Sequence, residues 1–462
     1  MPVNKIALIS FLSRVLLITL MVIIKIACGY SKILSTVFFI GLLIVSVFLI
    51  FLKKKEYTLI SLLCVDEINS QNSLLLYLNL AMALCFFVDC LYNRSKTFTN
   101  IELLCVALIL GIETSFTIFN IFDKSAISIA LQYTINDFKI LFVVIVSYFY
   151  FKGCDARKIQ VALMFVFISQ FLYIIVGYIL GLKSTRLVDF DMGVGYSAIL
   201  FLFLPYIYSK IIFEKNNRFR YLFLTSMLLI AMYKCHILSA QNLLSIPLVT
   251  MFVLFTSRRS IVSKMIILSV ISITILLLPL ILQLLTSTMD ILPDLRGKIE
   301  NIIAVLSFSG DYYVSSHSVQ VRLLEFVNII NEMNPVSLLI GKGLGSSFTD
   351  AAYPFIGLDE YDYNLEQIRA NEFYTPHNIS YFILKFGVGT FIFLTLYSVS
   401  KIRKCKPNNL ALMVSLFSFS ILNMGFSLLP SLALGIFLVM SIDDLKVQQN
   451  EFSYKKHNNS VC

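Results

Sequence analysis

Apolar runs of about twenty residues recur from one end of this chain to the other, and that repetition leaves few folds open. A run of that length matches the roughly 30 Å hydrocarbon core of a bilayer. Such runs fall near residues 6–28, 33–52, 73–91, 101–118, 129–151, 159–181, 193–213, 221–238, 243–257, 261–285, 378–399 and 410–441. The last is too long for one crossing and contains Gly425 and Pro430, so two short helices are expected there. Residues 57–65 are short for a crossing, although the flanking charges ask for one. Of the 462 residues, 58% are apolar and 14% charged, against roughly 25% charged in a soluble domain. A water-soluble fold has too little interior to hide that much apolar surface. Composition therefore excludes a cytoplasmic enzyme, a disordered chain and a secreted disulfide scaffold. An all-α polytopic membrane protein is expected.

Charge sets the orientation. Lys and Arg outnumber Asp and Glu by 37 to 27. In a membrane protein such an excess marks cytoplasmic loops and not a nucleic-acid partner. Alternate connections and the two ends hold 22 Lys and Arg, with clusters at Lys53–Lys55, Lys152–Lys158, Arg258–Lys264 and Lys401–Lys406. The short connections between them hold four: Lys32, Lys124, Lys183 and Arg186. That asymmetry predicts both termini in the cytoplasm and an even number of spans, 12 to 14. The nine Cys show no CxxC pair and no clustering with His, so neither zinc nor redox chemistry is expected. No cleavable signal peptide is evident, since the first run carries Arg14 and Lys25 and lacks a small-residue exit.

One segment breaks the rhythm. From Thr286 to Pro376 the chain runs without a convincing span, too long for a connector and therefore a candidate for function. The expected layout is membrane helices over 1–285, an extracytoplasmic loop over 286–376, membrane helices over 377–441 and a cytoplasmic tail over 442–462. Within the loop, Val319–Glu332 places apolar residues at 319, 323, 326, 327 and 330. That spacing predicts an amphipathic helix on the membrane surface or capping the bundle.

No GxSxG, HExxH or GxxxxGK[ST] motif occurs. The turn Gly341-Lys342-Gly343-Leu344-Gly345 has two readings: backbone N–H groups offered to a pyrophosphate, or a flexible turn that folds the loop back over the bundle. His377, in Pro376-His-Asn378, stands at the mouth of a span and can exchange a proton near neutral pH; alternatively it only hydrogen-bonds its neighbours. Arg322 suits a phosphate but equally an i,i+3 pair with Glu325 on a wet face. Arg186 is the second outer arginine, or a head-group anchor. Arg14, Lys139, Lys234 and Lys385 fall inside spans, where charge is costly and often functional but also snorkels. His236, beside Lys234, either lines the outer cavity or is a satisfied buried histidine. His317 reads as a loop residue.

Taken in order, these features resemble a known family. A late outer loop holds Arg322-Leu-Leu-Glu-Phe, then Asn334-Pro335, then Leu338-Leu-Ile-Gly-Lys-Gly-Leu-Gly345, and closes with His377-Asn378 entering a span that carries Gly387 and Gly389. This resembles the O-antigen ligase/polymerase superfamily, and within it the Wzy-type repeat-unit polymerases, over a layout of about residues 180–400. Two features differ: Ser239-Ala-Gln-Asn242 stands where members often carry an arginine, and the glycine after His-Asn arrives about one residue early.

The resemblance implies a GT-C-like membrane glycosyltransferase in the bacterial inner membrane. It would act on glycans linked to undecaprenyl pyrophosphate, without metal or cofactor. Arg322 and Arg186 would hold the pyrophosphate, and His377, or Glu372 nearby, would deprotonate the acceptor hydroxyl. Gly341, Lys342, Gly343, Gly345, Asn378, Lys234, His236 and Tyr374 would line the substrate, with tyrosines 361, 363 and 374 stacking on sugar rings. A chain-length regulator and a flippase of the same pathway are the implied protein partners; no nucleic acid is. The alternatives are a ligase that moves the finished chain to lipid A-core, and a flippase for the lipid-linked oligosaccharide.

Overall fold

The computed structural model describes residues 15–24, 26, 32–59, 73–92, 99–122, 127–180, 199–213, 218–234, 262, 265, 269, 317–358, 363–377, 379–404, 407–423 and 428–441. In chain order the helices are α1 (Val15–Ile24), α2 (Lys32–Phe51), α3 (Ser73–Tyr92), α4 (Asn100–Phe122), α5 (Ile127–Phe151), α6 (Ala156–Ile179), α7 (Ile199–Phe213) and α8 (Arg218–Lys234). After them come α9 (His317–Glu332), α10 (Pro335–Ile340), α11 (Leu365–Ala370), α12 (Ile379–Lys404), α13 (Pro407–Asn423) and α14 (Leu429–Ser441). Among the described residues the only β-pairing is an isolated antiparallel bridge between Phe348 and Phe373.

Three of these helices are long and apolar enough to cross a membrane: Asn100–Ile118, Ile127–Phe151 and Ile379–Arg403. Their outward faces carry the same message. On α4, Ile101, Leu104, Leu108 and Ile112 form a stripe at helical spacing with every member more than half exposed. Val37, Ile44 and Phe48 on α2, and Ile392, Phe393 and Leu396 on α12, are also exposed. Long apolar stripes turned outward are a liability in water and are what a lipid environment solvates.

The interior is assembled differently. The buried faces of α5, α6, α7, α13 and α14 meet through Phe149, Phe167, Leu204, Tyr206, Phe417 and Phe437. Small residues let the backbones approach, as where Gly435 of α14 sits over Val144 and Ser147 of α5. Many of the buried serines turn their hydroxyls back onto a carbonyl three or four residues earlier, as Ser147, Ser169, Ser415 and Ser420 do.

Charge separates the two ends of the bundle. At one end of α4 and α5, Lys152 reaches Glu102 at 2.5 Å and Tyr148 donates to the same carboxylate at 2.6 Å. Lys55 pairs with Asp89, and Lys158 with Glu56 at 3.5 Å. Lys401 and Arg403 close α12. The segment 317–377 packs against the halves of α5 and α12 away from those charges, the halves that hold Tyr133, Asp137 and Tyr381.

Candidate functional site

The site is built from three pieces: helix α9, the glycine turn after α10, and the broken start of α12. The amphipathic helix expected at 319–332 is present, but it is rotated from the expected face. Phe326 is exposed, whereas Val321, Leu324, Glu325, Asn328 and Ile329 are buried. Glu325 and Asn328 on that inner face each have partners that repay burial. Asn328 accepts from the Tyr353 N–H at 2.9 Å and donates to its carbonyl at 2.8 Å.

Glu325 is fully buried and is the hub of the loop. It accepts from the His377 backbone N–H at 2.8 Å and from the Tyr363 hydroxyl at 2.5 Å, and it contacts His377 Nδ1. His377 retains some exposure, with 17% of its side chain accessible, and its ring meets the edge of Tyr363. One of the two readings of Arg322 placed Glu325 beside it as an i,i+3 pair on a wet face. Engagement with His377 and Tyr363 turns Glu325 inward instead. Half-buried Arg322 lies one helical turn earlier, about 4.5 Å along the axis.

Behind the dyad, Phe348, Phe355, Tyr363 and Phe373 pack as a ring cluster, with Tyr363 and Phe373 centroids 4.7 Å apart. The Phe348–Phe373 bridge ties its two arms through N–H···O bonds of 3.1 and 2.8 Å. Tyr363 and Tyr374 are therefore interior residues, not sugar platforms. Tyr374 is fully buried, stacks on Tyr133 of α5 at 5.0 Å, and donates to Glu372 at 2.7 Å. Burial and that adjacent carboxylate push the Tyr374 phenol well above its ordinary value, so it remains the donor. Gln367 of α11 joins the same stack, donating to the Tyr133 hydroxyl and accepting from the Tyr374 N–H.

The glycine turn is not an anion cradle. The Lys342 and Gly343 N–H groups donate to the carbonyls of Leu384 and Lys385, at 2.8 and 3.1 Å. Those of Leu344 and Gly345 donate to Glu113 and Asp137, at 3.2 and 2.8 Å. The Gly341 N–H is used by the Ser337 carbonyl. A pyrophosphate would meet spent donors and two carboxylates, so the expectation that Gly341, Gly343 and Gly345 bind it is corrected to the turn reading. Lys342 likewise is committed, to Glu332 at 2.6 Å, and Glu332 also accepts from Thr349.

Under the turn lies a buried charge network. Lys385 Nζ sits 2.7 Å from Asp137 and donates to the Ser346 carbonyl at 2.8 Å; Tyr381 donates to Asp137 at 2.7 Å. Lys385 and Asp137 are both essentially inaccessible, which explains one of the in-span charges flagged by sequence: it is paired and hydrogen-bonded. Helix α12 breaks at Gly387 (φ 81°, ψ 162°), which strips the Leu384 and Lys385 carbonyls of their helical donors; the turn supplies replacements. At Gly345 (φ 73°), any Cβ would lie 2.1 Å from Thr134 Oγ1.

Gly387→Ala is expected to be damaging on two grounds. The left-handed backbone costs a non-glycine residue about 1–3 kcal/mol, and the new methyl would stand 2.4 Å from the Gly341 nitrogen. Thermal unfolding in detergent should show a clearly lowered midpoint, whereas Gly111→Ala, whose Cβ meets nothing within 4 Å, should leave it unchanged.

Arg186, His236 and Asn378 lie outside the described residues, as does most of 235–316; Lys234 ends α8, with its side chain likewise outside the description. Sequence reasoning missed Asp137, Glu113 and Tyr381 as site components. Their signal was a carboxylate in the middle of an apolar run, at 113 and again at 137. Among the described residues no three His, Cys, Asp or Glu side chains converge as a metal site. Compared with known protein families, curated proteins and solved structures, the chain matches none.

Proposed function

We propose that this protein is a membrane glycosyltransferase of the polymerase type, joining undecaprenyl-pyrophosphate-linked repeat units on the outer face of the bacterial inner membrane. The observation that carries the reading is the His377–Glu325 dyad. A partly accessible histidine, buttressed by a buried carboxylate, stands where the long loop enters α12, at the end of the bundle away from Lys152, Lys401 and Arg403. By the positive-inside rule that end faces outward.

The reaction then follows from charge and proton accounting. An acceptor sugar hydroxyl attacks the anomeric carbon of the donor; the new C–O bond forms as the bond to pyrophosphate breaks, and the pyrophosphate leaves with the electron pair. With Nδ1 committed to Glu325, the hydroxyl proton passes to His377 Nε2, and the imidazolium that results is balanced by the Glu325 carboxylate. His377 suits the base role better than Glu372, which is occupied by the Tyr374 hydroxyl. Arg322, and Arg186 on its own segment, neutralise the departing pyrophosphate.

The test is a surface-polysaccharide gel from a deletion strain complemented with wild type or Arg322→Ala. With protein levels equal, the variant should show core bearing a single repeat unit and no ladder. An unchanged ladder removes Arg322 from the mechanism. Bare core with polymer held on the lipid carrier would make the protein a ligase, and single units trapped on the cytoplasmic face would make it a flippase.

A further inference from the structure

The segment 334–348 was expected to belong to the extracytoplasmic loop, yet its contacts with the spanning helices fall within their apolar stretches. The Leu344 N–H meets Glu113, four residues past the midpoint of the apolar stretch Asn100–Ile118. The Gly345 N–H meets Asp137, two residues from the middle of Ile127–Phe151. Leu339 lies against Gly387 and Gly389 of α12, which stand four and two residues from the middle of Ile379–Arg403. At 1.5 Å per residue these contacts lie about 3–6 Å from their helices' midpoints, and the turn's bonds to Leu384, Lys385 and Thr117 lie about 9–12 Å out, all inside a hydrocarbon core that extends about 15 Å to either side. Three separate helices thus place the segment inside the hydrocarbon core.

We infer that residues Asn334–Phe348 form a re-entrant membrane segment, in which α10 lies below the bilayer surface with Val336, Leu339 and Ile340 against lipid acyl chains. The exposure pattern fits that partner. Val336, Leu339 and Ile340 are 64%, 59% and 46% exposed, an apolar surface on a six-residue helix that has no buried side chain of its own. The irregular backbone that follows is the opposite: Gly343 through Phe348 are all buried.

Non-helical backbone at membrane depth is tolerated only where protein satisfies it. Here the N–H groups of 342–345 are taken by two α12 carbonyls and two carboxylates, and the Asn334 side chain caps the α10 N-terminus through Ser337. The Lys385–Asp137 pair then has a purpose at this depth. Lys385 offsets one of the two carboxylates that receive the turn and holds the Ser346 carbonyl.

The chain contains no tryptophan, so a single one introduced is an unambiguous depth probe. Leu339→Trp and Val336→Trp, each in full-length protein reconstituted into phosphatidylcholine vesicles, should be quenched several-fold more strongly by lipid brominated on the acyl chain than by aqueous acrylamide. Leu396→Trp, on the exposed face of α12, gives the lipid reference. Acrylamide quenching of both α10 probes at the level of a water-exposed tryptophan, with bromolipid ineffective, would overturn the inference. Two probe positions guard against one variant misfolding, and a variant that elutes as aggregate is replaced by Ile340→Trp. The readout involves no polysaccharide, so it stands or falls separately from the polymerase reading.

Discussion

Replacing Lys385 by alanine is expected to cost roughly 3–5 kcal/mol of stability, because Asp137 would be left as an uncompensated charge in a dry interior. The Ser346 carbonyl would lose its ammonium partner in the same step, releasing the turn from the bundle. The same principle predicts partial rescue. In the double variant Asp137→Asn/Lys385→Met the pair carries no charge, the methionine refills most of the lysine volume, and the asparagine oxygen still accepts from the Gly345 N–H while its NH2 donates to the Tyr381 oxygen, whose hydroxyl turns to receive it. Thermal challenge in detergent followed by size exclusion reads both: little monodisperse Lys385→Ala should survive, and the double variant should recover most of the wild-type signal. Equal loss in the two would mean that the lysine acts by packing and not by charge.

His377→Ala is expected to lower repeat-unit polymerisation by about 10²–10⁴-fold, the usual worth of a positioned general base. Polymer assembled in membrane vesicles from purified lipid-linked units is the measurement. Glu325→Gln separates catalysis from folding. Glutamine keeps an oxygen to accept from the His377 N–H or from Tyr363, but it cannot balance an imidazolium. Its loss should therefore appear in turnover, with substrate affinity and thermal midpoint close to wild type. A large drop in midpoint for Glu325→Gln would assign the carboxylate a purely structural role in the loop.

Much of the architecture was legible because it is written in local pattern. The apolar run at 129–151 became α5, and the 410–441 stretch, with Gly425 and Pro430 inside it, is divided between α13 and α14. The helix over 319–332 was visible from periodicity alone. Its inward face was not. A count of apolar residues turns Leu323, Phe326 and Val327 toward the protein, whereas the fold turns Glu325 and Asn328 inward. Their partners, His377, Tyr363 and the Tyr353 backbone, are 25 to 52 positions away and carry no local signal.

The same limit applied to the glycine turn. Gly341, Gly343 and Gly345 announce positive φ and close approach, and that much is intrinsic to residues without a Cβ. Whether their N–H groups face a ligand or the protein depends on a carboxylate 208 positions earlier and on a helix that breaks at Gly387. Composition and local pattern by themselves determined an apolar helical protein and the helix over 319–332, since each depends on residues close in sequence. Tertiary structure alone decided that Glu325 serves His377, that Lys385 neutralises Asp137 and that the turn is sealed within the protein. Buried polar groups are stable only as pairs, and the members of these pairs meet only once the chain has folded.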